Sequence, residues 1–182
     1  KSIERLSRNV HDLTLMAAGE EKRNAIADIF DVESIIDYII FGQIMANIDG
    51  YKKNWQWVTY DGNKWAVNAY DLDGVWGWNG WGYITPLTTW YGKEIPPVGL
   101  VIDNFLPEIQ SRYKALRDHG VISVANVMGP LNEYIKNIGI DYFEKEYDKW
   151  DGQGGERDNL WRFETWMEES IRGTDALMNY TD

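Results

Sequence analysis

Asp61-Gly62-Asn63 sits between two short runs rich in aromatic and β-branched residues, Trp55 to Tyr60 and Lys64 to Tyr70. This is a strong hairpin signal, and it limits where the rest of the chain can go. With Asp61-Gly62 as a two-residue turn, Asn54 falls opposite Ala69. With Gly62-Asn63 as the turn it falls opposite Asp71, and a three-residue turn puts it opposite Tyr70. Cross-strand neighbours lie roughly 5 Å apart. Every register therefore brings Asn54 within a few ångströms of Asp71. If the strand continues, Asp73 faces the same way as Asp71, because side chains alternate with period two.

Just before the hairpin the chain reads Asn47-Ile48-Asp49-Gly50-Tyr51-Lys52-Lys53-Asn54, and just after it Asp71-Leu72-Asp73-Gly74. An acid, an amide five residues later and a second acid returned by a hairpin is how protein kinases assemble a phosphoryl-transfer site. Asp49 is then the candidate proton acceptor. Asn54 and Asp71, with Asp73 facing the same way, are candidate oxygen ligands for a hard cation such as Mg2+ or Mn2+. Each piece alone also has a structural reading. Asp61-Gly62-Asn63 is a turn, Asp49-Gly50 resembles a helix-terminating turn, and Asn54 suits the start of a strand. Asp-x-Asp-Gly resembles half a calcium loop, but Val75-Trp76 supplies no further oxygen ligand.

The flanks read as helices. Residues 2–18 place Ile3, Leu6, Val10, Leu13 and Met16 on one side, Gly19 interrupts, and Glu20 to Phe30 form a second helical stretch. Asp31 is a good N-cap for a helix made buried by Ile35, Ile36, Ile39, Ile40, Ile44 and Met45. That helix delivers the chain to Asp49. A loop from Gly74 to Gly99 carries Trp76, Trp78, Trp81 and Trp90, as core plugs or as a substrate or sugar platform. Further helices are expected from Leu106 to Asp118 (Pro107 near its start), from Val124 to Ile138 (capped by Ser123, broken at Pro130) and from Asp141 to Trp150. After the connector Asp151-Gly152-Gln153-Gly154-Gly155, a last helix is capped by Asp158 and carries Leu160, Trp161, Trp166, Ile171 and Leu177. The fold class is mainly α with a small β-hairpin, in one domain over residues 1–182.

A net charge of −11, from 29 acids and 18 bases, argues against a nucleic-acid partner. Residues 141–182 hold 12 acids against 5 bases. This acidic end reads as a solvated helix face, and it also suits a basic protein substrate. No apolar run is long enough for a membrane span. With no cysteines there is no disulfide or thiolate metal site. His11 and His119 are too few for a histidine metal site and read as surface residues at helix ends. Oligomeric state is not encoded in any visible pattern.

From Ile36 to Gly77 the sequence resembles the spore-coat protein H (CotH) kinase family. The motifs are Asp37-Tyr38, Asn47-x-Asp49-x4-Asn54 and Tyr70-Asp71-x-Asp73-x3-Gly77. Arg112-Tyr113-x2-Leu116-Arg117 and Trp166-x5-Arg172-x4-Leu177 resemble two later helices of that family, so the likeness spans roughly residues 20–180. The resemblance implies the large lobe of a kinase-like fold, ATP with a divalent metal, and transfer to serine or threonine hydroxyls of proteins. By position it implies that Asp49 orients or deprotonates the acceptor hydroxyl, that Asn54 and Asp71 bind metal, and that Asp73 is an additional or substitute ligand. Arg112 and Arg117 are expected to pair with carboxylates within the helical lobe rather than with phosphate. It also suggests a spore-coat, cell-surface or secreted location.

Nothing in residues 1–46 reads as strands, no glycine-rich phosphate loop precedes the motif, and Lys1 and Lys22 lie in helical contexts. The chain is therefore expected to be the large-lobe portion of a longer protein, binding ATP weakly by itself. The competing readings are a tryptophan-rich glycan- or protein-binding module and a catalytically silent kinase-like scaffold.

Overall fold

The computed structural model describes residues 2–77, 85–149 and 160–181. Within them the chain is mainly helical with one two-stranded antiparallel sheet. Helix α1 (Ser2–Leu15) and helix α2 (Glu20–Ile29) pack on each other, separated by Gly19. Leu6 and Leu13 are buried as their spacing predicts, but Ile3 is 75% exposed, so the apolar stripe of α1 begins one turn later than expected. Glu20 and Glu21 sit in the first turn of α2, where they favour the helix dipole.

Helix α3 (Val32–Ile44) is the central element. Asp31 caps it by accepting a hydrogen bond from Ser34 N at 3.2 Å, a contact typically worth about 1 kcal/mol. Ile35, Ile36, Ile39, Ile40 and Ile44 are all buried, and Met45 just beyond is half-buried. Full burial of each such side chain contributes about 1.5–3 kcal/mol. The strands β1 (Trp55–Val58) and β2 (Ala66–Ala69) form the hairpin, whose second strand lies against α3. Its tip end is stitched to the junction of α2 and α3. Trp65 N donates to Ile29 O at 2.9 Å, and Asp31 N donates to Trp65 O at 2.8 Å.

Helix α4 (Pro96–Asp118) begins ten residues before the expected Leu106. Pro96 and Pro97 occupy its first positions, where their fixed φ is preorganised and no hydrogen bond is lost. Pro107, read from sequence as a helix start, instead lies just after a kink at Phe105. Arg23 covers the kink, donating to the Asn104 carbonyl and to Glu108, with its guanidinium 4.3 Å over the Phe105 ring. The loop after Asp73 accordingly ends at Ile95 rather than Gly99.

Helix α5 (Val124–Ile138) is capped by Ser123, which accepts from Asn126 N at 3.2 Å. It runs through Pro130, so the expected break does not occur, and Gly139 at φ 89° ends it. Helix α6 (Ile140–Lys149) follows, and helix α7 (Leu160–Met178) buries Met167, Ser170, Ile171, Thr174 and Met178 against the core. Trp150, the expected connector 151–155 and the expected cap Asp158 lie outside the described residues. Glu164, Glu168, Glu169 and Arg172 are exposed, as the solvated-face reading of the acidic end requires. No described helix is long and apolar enough to cross a membrane.

Arg112 and Arg117 are structural ties. Arg112 on α4 grips Asp37 on α3 through two bonds of 2.8 and 3.1 Å. Arg117 holds Asp175 on α7 at 2.9 and 3.1 Å, and the same carboxylate accepts from Tyr113 Oη at 2.7 Å. Burial, reinforced by Asp175, pushes the Tyr113 phenol well above its ordinary range.

Candidate active site

The end of α3 sets the position of Asp49. Ala46 adopts φ 47°, an uncommon conformation for a residue with a side chain, and this turns the chain out of the helix. Asn47, fully buried, then accepts from Gly50 N through its Oδ1 at 3.1 Å. A Cβ on Gly50 would lie 2.1 Å from Asn47 Nδ2, so glycine is required there. Among the described residues that Nδ2 finds no hydrogen-bond acceptor.

Asp49 opens a single 3-10 turn, Asp49–Tyr51, and its carbonyl accepts from the amides of Lys52, Lys53 and Asn54. Tyr51 anchors this turn. Its ring is buried among Tyr38, Trp55 and Tyr91, and Gly42 and Gly92 leave it room. A Cβ at either glycine would come within 2.2 and 2.8 Å of Tyr51 respectively. Tyr38 Oη donates to Gly50 O at 2.8 Å, tying the same turn back to α3. Burial raises both phenols, that of Tyr38 to about 12.

The hairpin adopts the register of a three-residue turn. Trp55 pairs with Ala69 and Val58 with Ala66, which puts Asn54 opposite Tyr70, whose N donates to Asn54 O at 3.3 Å. Asn54 is 6% exposed and its Nδ2 donates to Asp71 O at 3.1 Å. Since a carbonyl can only accept, the amide nitrogen must be the atom facing it, and Oδ1 is left for another partner. The second strand ends at Ala69. Asp71 takes φ 53°, and Leu72–Gly74 form another 3-10 turn. The period-two expectation that placed Asp73 beside Asp71 therefore lapses, because the chain is no longer extended there.

Lys53, which the sequence reading did not single out, connects these points. Its Nζ lies 3.1 Å from Asp49 Oδ2. The hydrogen bond to Asp49, its charge, and the charges of Asp73 and Asp71 all raise the Lys53 ammonium above its ordinary pKa. The only sequence signal for this was the i,i+4 spacing of opposite charges. Adjacent Lys52 turns elsewhere, its ammonium 6.0 Å from the Tyr91 ring centroid.

Past Asp73 the chain is fastened to the end of α3. Trp76, at φ 58°, donates from its backbone N to Met45 O and from Nε1 to Met45 Sδ, at 2.8 and 2.9 Å. Its ring meets Phe163 on α7. Trp90 is also packed against the core, and buried Gln43 bonds to the backbone of Thr89 and Tyr91 beside it. Trp76 and Trp90 are thus core plugs; Trp78 and Trp81 lie outside the described residues.

Among the described residues, no three His, Cys, Asp or Glu side chains converge closely enough to hold a metal by themselves. The donor chemistry nevertheless suits a hard cation: an amide oxygen from Asn54 and carboxylates from Asp71 and Asp73 are all oxygen ligands. The Lys53 ammonium lies 3.1 Å from Asp49, and the charges of Asp71 and Asp73 also reach it.

A family model described as CotH kinase protein matches residues 1–172. The chain belongs to the CotH kinase family. At the level of the family this gives it a kinase-like function. No curated protein and no solved structure matches the chain. The matched span includes the Asp49 turn, the whole hairpin and Asp73, together with the α3 and α4 residues that hold them.

Proposed function

We propose that this CotH kinase chain forms the catalytic-loop and metal-binding half of an atypical protein kinase, resembling the large lobe of that fold. The complete enzyme moves the γ-phosphate of ATP to a serine or threonine hydroxyl of a protein, using Mg2+ or Mn2+. The observation that carries this reading is the Asn54–Asp71 hydrogen bond at 3.1 Å, with Asp49 five residues before Asn54 on an anchored turn.

Asp49 accepts a hydrogen bond from the incoming hydroxyl, fixes its direction and takes its proton as the new phosphorus–oxygen bond forms and the bond from the γ-phosphorus to the bridging oxygen breaks, releasing ADP. Its side chain is 36% exposed, within reach of a substrate. Asn54 Oδ1, Asp71 and Asp73 would hold the cation. Bound there, a divalent cation neutralises the phosphate oxygens. The chain's own contribution is positioning: the Asn54 amide is oriented by Asp71 O, and the Asp49 turn is fixed from below by Tyr51 and Tyr38.

Neither described strand carries a lysine, so the nucleotide-clamping lysine is assigned to a small lobe elsewhere in a longer protein. The exposed acidic face of α7 suits a basic protein substrate, and the family points to a spore-coat or surface setting.

The test is phosphate transfer by the full-length protein from labelled ATP to a basic test protein. Asp49→Ala and Asp71→Asn should each lower the rate by roughly 10²–10³ without altering the melting curve. Unimpaired transfer by Asp71→Asn would remove the metal-ligand assignment. Micromolar affinity of residues 1–182 alone for magnesium-ATP would remove the half-site assignment.

A further inference from the structure

Asp31, Ser123 and Asn47 each accept a hydrogen bond from the backbone amide three residues further on, at 3.2, 3.2 and 3.1 Å. Asp31 and Ser123 open helices of 13 and 15 residues, whose first amides need such a partner. Asn47 precedes only the three-residue turn Asp49–Tyr51. No long helix depends on its bond, so the bond serves the turn and the aspartate that the turn presents.

Asn47 is itself firmly seated. It is 1% exposed, and its backbone N donates to Gly42 O at 3.0 Å in the last turns of α3. Gly50 N meets both the Oδ1 and the carbonyl oxygen of Asn47 at 3.1 Å. That amide belongs to the Asp49–Gly50 peptide, whose oxygen accepts from Lys52, Lys53 and Asn54 N at 3.1, 3.0 and 3.1 Å. A planar peptide held at its N–H and at its oxygen cannot swing about Asp49, and the direction of the Asp49 side chain is set with it. The three atoms nearest to a Cβ built on Gly50 are Nδ2, Cγ and Oδ1 of Asn47, at 2.1, 2.4 and 2.7 Å. The side chain of one residue and the missing side chain of the other are therefore matched. Among the described residues Nδ2 has no acceptor, so the amide is placed there for its oxygen.

We propose that Asn47 is a positioning residue for phosphoryl transfer: its side-chain oxygen, seated against Gly50, holds the Asp49–Gly50 peptide so that the Asp49 carboxylate meets the incoming hydroxyl. This rests on the reading of Asp49 as the proton acceptor. Buried as it is, Asn47 acts through Asp49 and not on the substrate. Its loss misdirects the carboxylate and leaves nucleotide binding alone.

The experiment is steady-state phosphate transfer by the full-length protein to a basic test protein, with rates expressed per folded molecule from melting curves. Asn47→Ala should lower kcat about tenfold while KM for ATP stays within about twofold, because only the reacting geometry is disturbed. Asn47→Ser, which restores a capping oxygen of the kind found at Ser123, should recover kcat to within about threefold of the natural value. Gly50→Ala should lower kcat at least as far as Asn47→Ala does. Combining Gly50→Ala with Asn47→Ala removes the clash, so the double variant should be no slower than Gly50→Ala alone.

A natural kcat for folded Asn47→Ala overturns the proposal. So does Asn47→Ser as slow as Asn47→Ala, because the capping bond is then not what matters. Single losses that multiply in the double variant, or a fall in kcat matched by a rise in KM for ATP, overturn it as well. Should Asn47→Ala not fold, the other two single variants decide. Near-natural kcat in Asn47→Ser with a loss confined to kcat in Gly50→Ala upholds the proposal, and any other result overturns it. If Asp49→Ala transfers phosphate at the natural rate, the reading of Asp49 itself fails, and the positioning role with it.

Discussion

The two ends of the hairpin carry aspartates in opposite situations. At the tip, the Asp61 carboxylate accepts from Asn63 N at 2.7 Å, Lys64 N at 3.0 Å and Thr59 Oγ1 at 3.2 Å. Those donors, chiefly the two backbone amides, hold its pKa down to about 2. Its oxygens are used in making the turn. At the open end, Asp49 pairs with the ammonium of one flexible lysine, Lys53, which also feels the charges of Asp71 and Asp73. The same side chain, repeated along 25 residues of one chain, is a structural acceptor in one place and a candidate ligand in the other. What separates them is whether local backbone amides already satisfy the carboxylate.

The largest effect that tests this contrast is on catalysis. In the full-length protein Asp71→Asn should cost roughly 10²–10³ in phosphate transfer, whereas Asp61→Asn should stay within about twofold of the natural rate. Comparable losses from both would abolish the distinction.

A smaller effect concerns the glycines on either side. Gly92 lies at φ 75° with Tyr51 ring carbon 2.8 Å from where a Cβ would sit, while Gly62 at φ 72° has its nearest neighbour at 3.5 Å. Gly92→Ala combines backbone strain with overpacking and should destabilise by about 2–4 kcal/mol; Gly62→Ala bears the strain alone, about 1 kcal/mol. Urea unfolding of both variants measures the gap. Equal losses would show that Tyr51 yields easily and does not anchor the Asp49 turn.

The smallest effect is pH dependence. The folded-state pKa of Asp61 is depressed below its ordinary 3.8, so its contribution to stability is complete above about 4 and is lost as pH falls toward 2. Asp61→Asn should flatten that part of the acid limb, followed by tryptophan fluorescence. An unchanged limb would mean that the turn hydrogen bonds are not kept in solution.

Much of this was legible in the sequence, and the misses have physical causes. Asp31, Ser123 and the isoleucines of α3 announced themselves because caps and apolar spacing are local signals. The hairpin was legible too, but its register stayed open among three choices. Asp61 settles it by drawing in amides on the far side of Gly62, which no propensity encodes. Pro107 misled because a proline marks a helix start and a helix kink alike. The Pro96-Pro97 pair was the start. Asn54 and Asp71 meet as the hairpin arithmetic required in every register. Lys53 was overlooked because its one ion-pair partner, Asp49, lies at the i,i+4 spacing of any solvent-exposed pair. Asp73 was expected to follow Asp71 in an extended strand, but the left-handed conformation at Asp71 ends the alternation.

The backbone bond from Trp76 to Met45 closes the chain on itself around residues 45–76, and the pairing of Trp65 with Ile29 and Asp31 closes it a second time. The tip, residues 59–64, is largely exposed, and Arg5 of α1 donates to the Gly62 carbonyl there. It is therefore a natural insertion point. A peptide tag or fluorescent reporter grafted after exposed Asn63 would ride outside the ring, and loop-closure entropy penalises such a graft only weakly. The two fasteners would keep Asp49 and Asp71 at their present separation whatever the graft did.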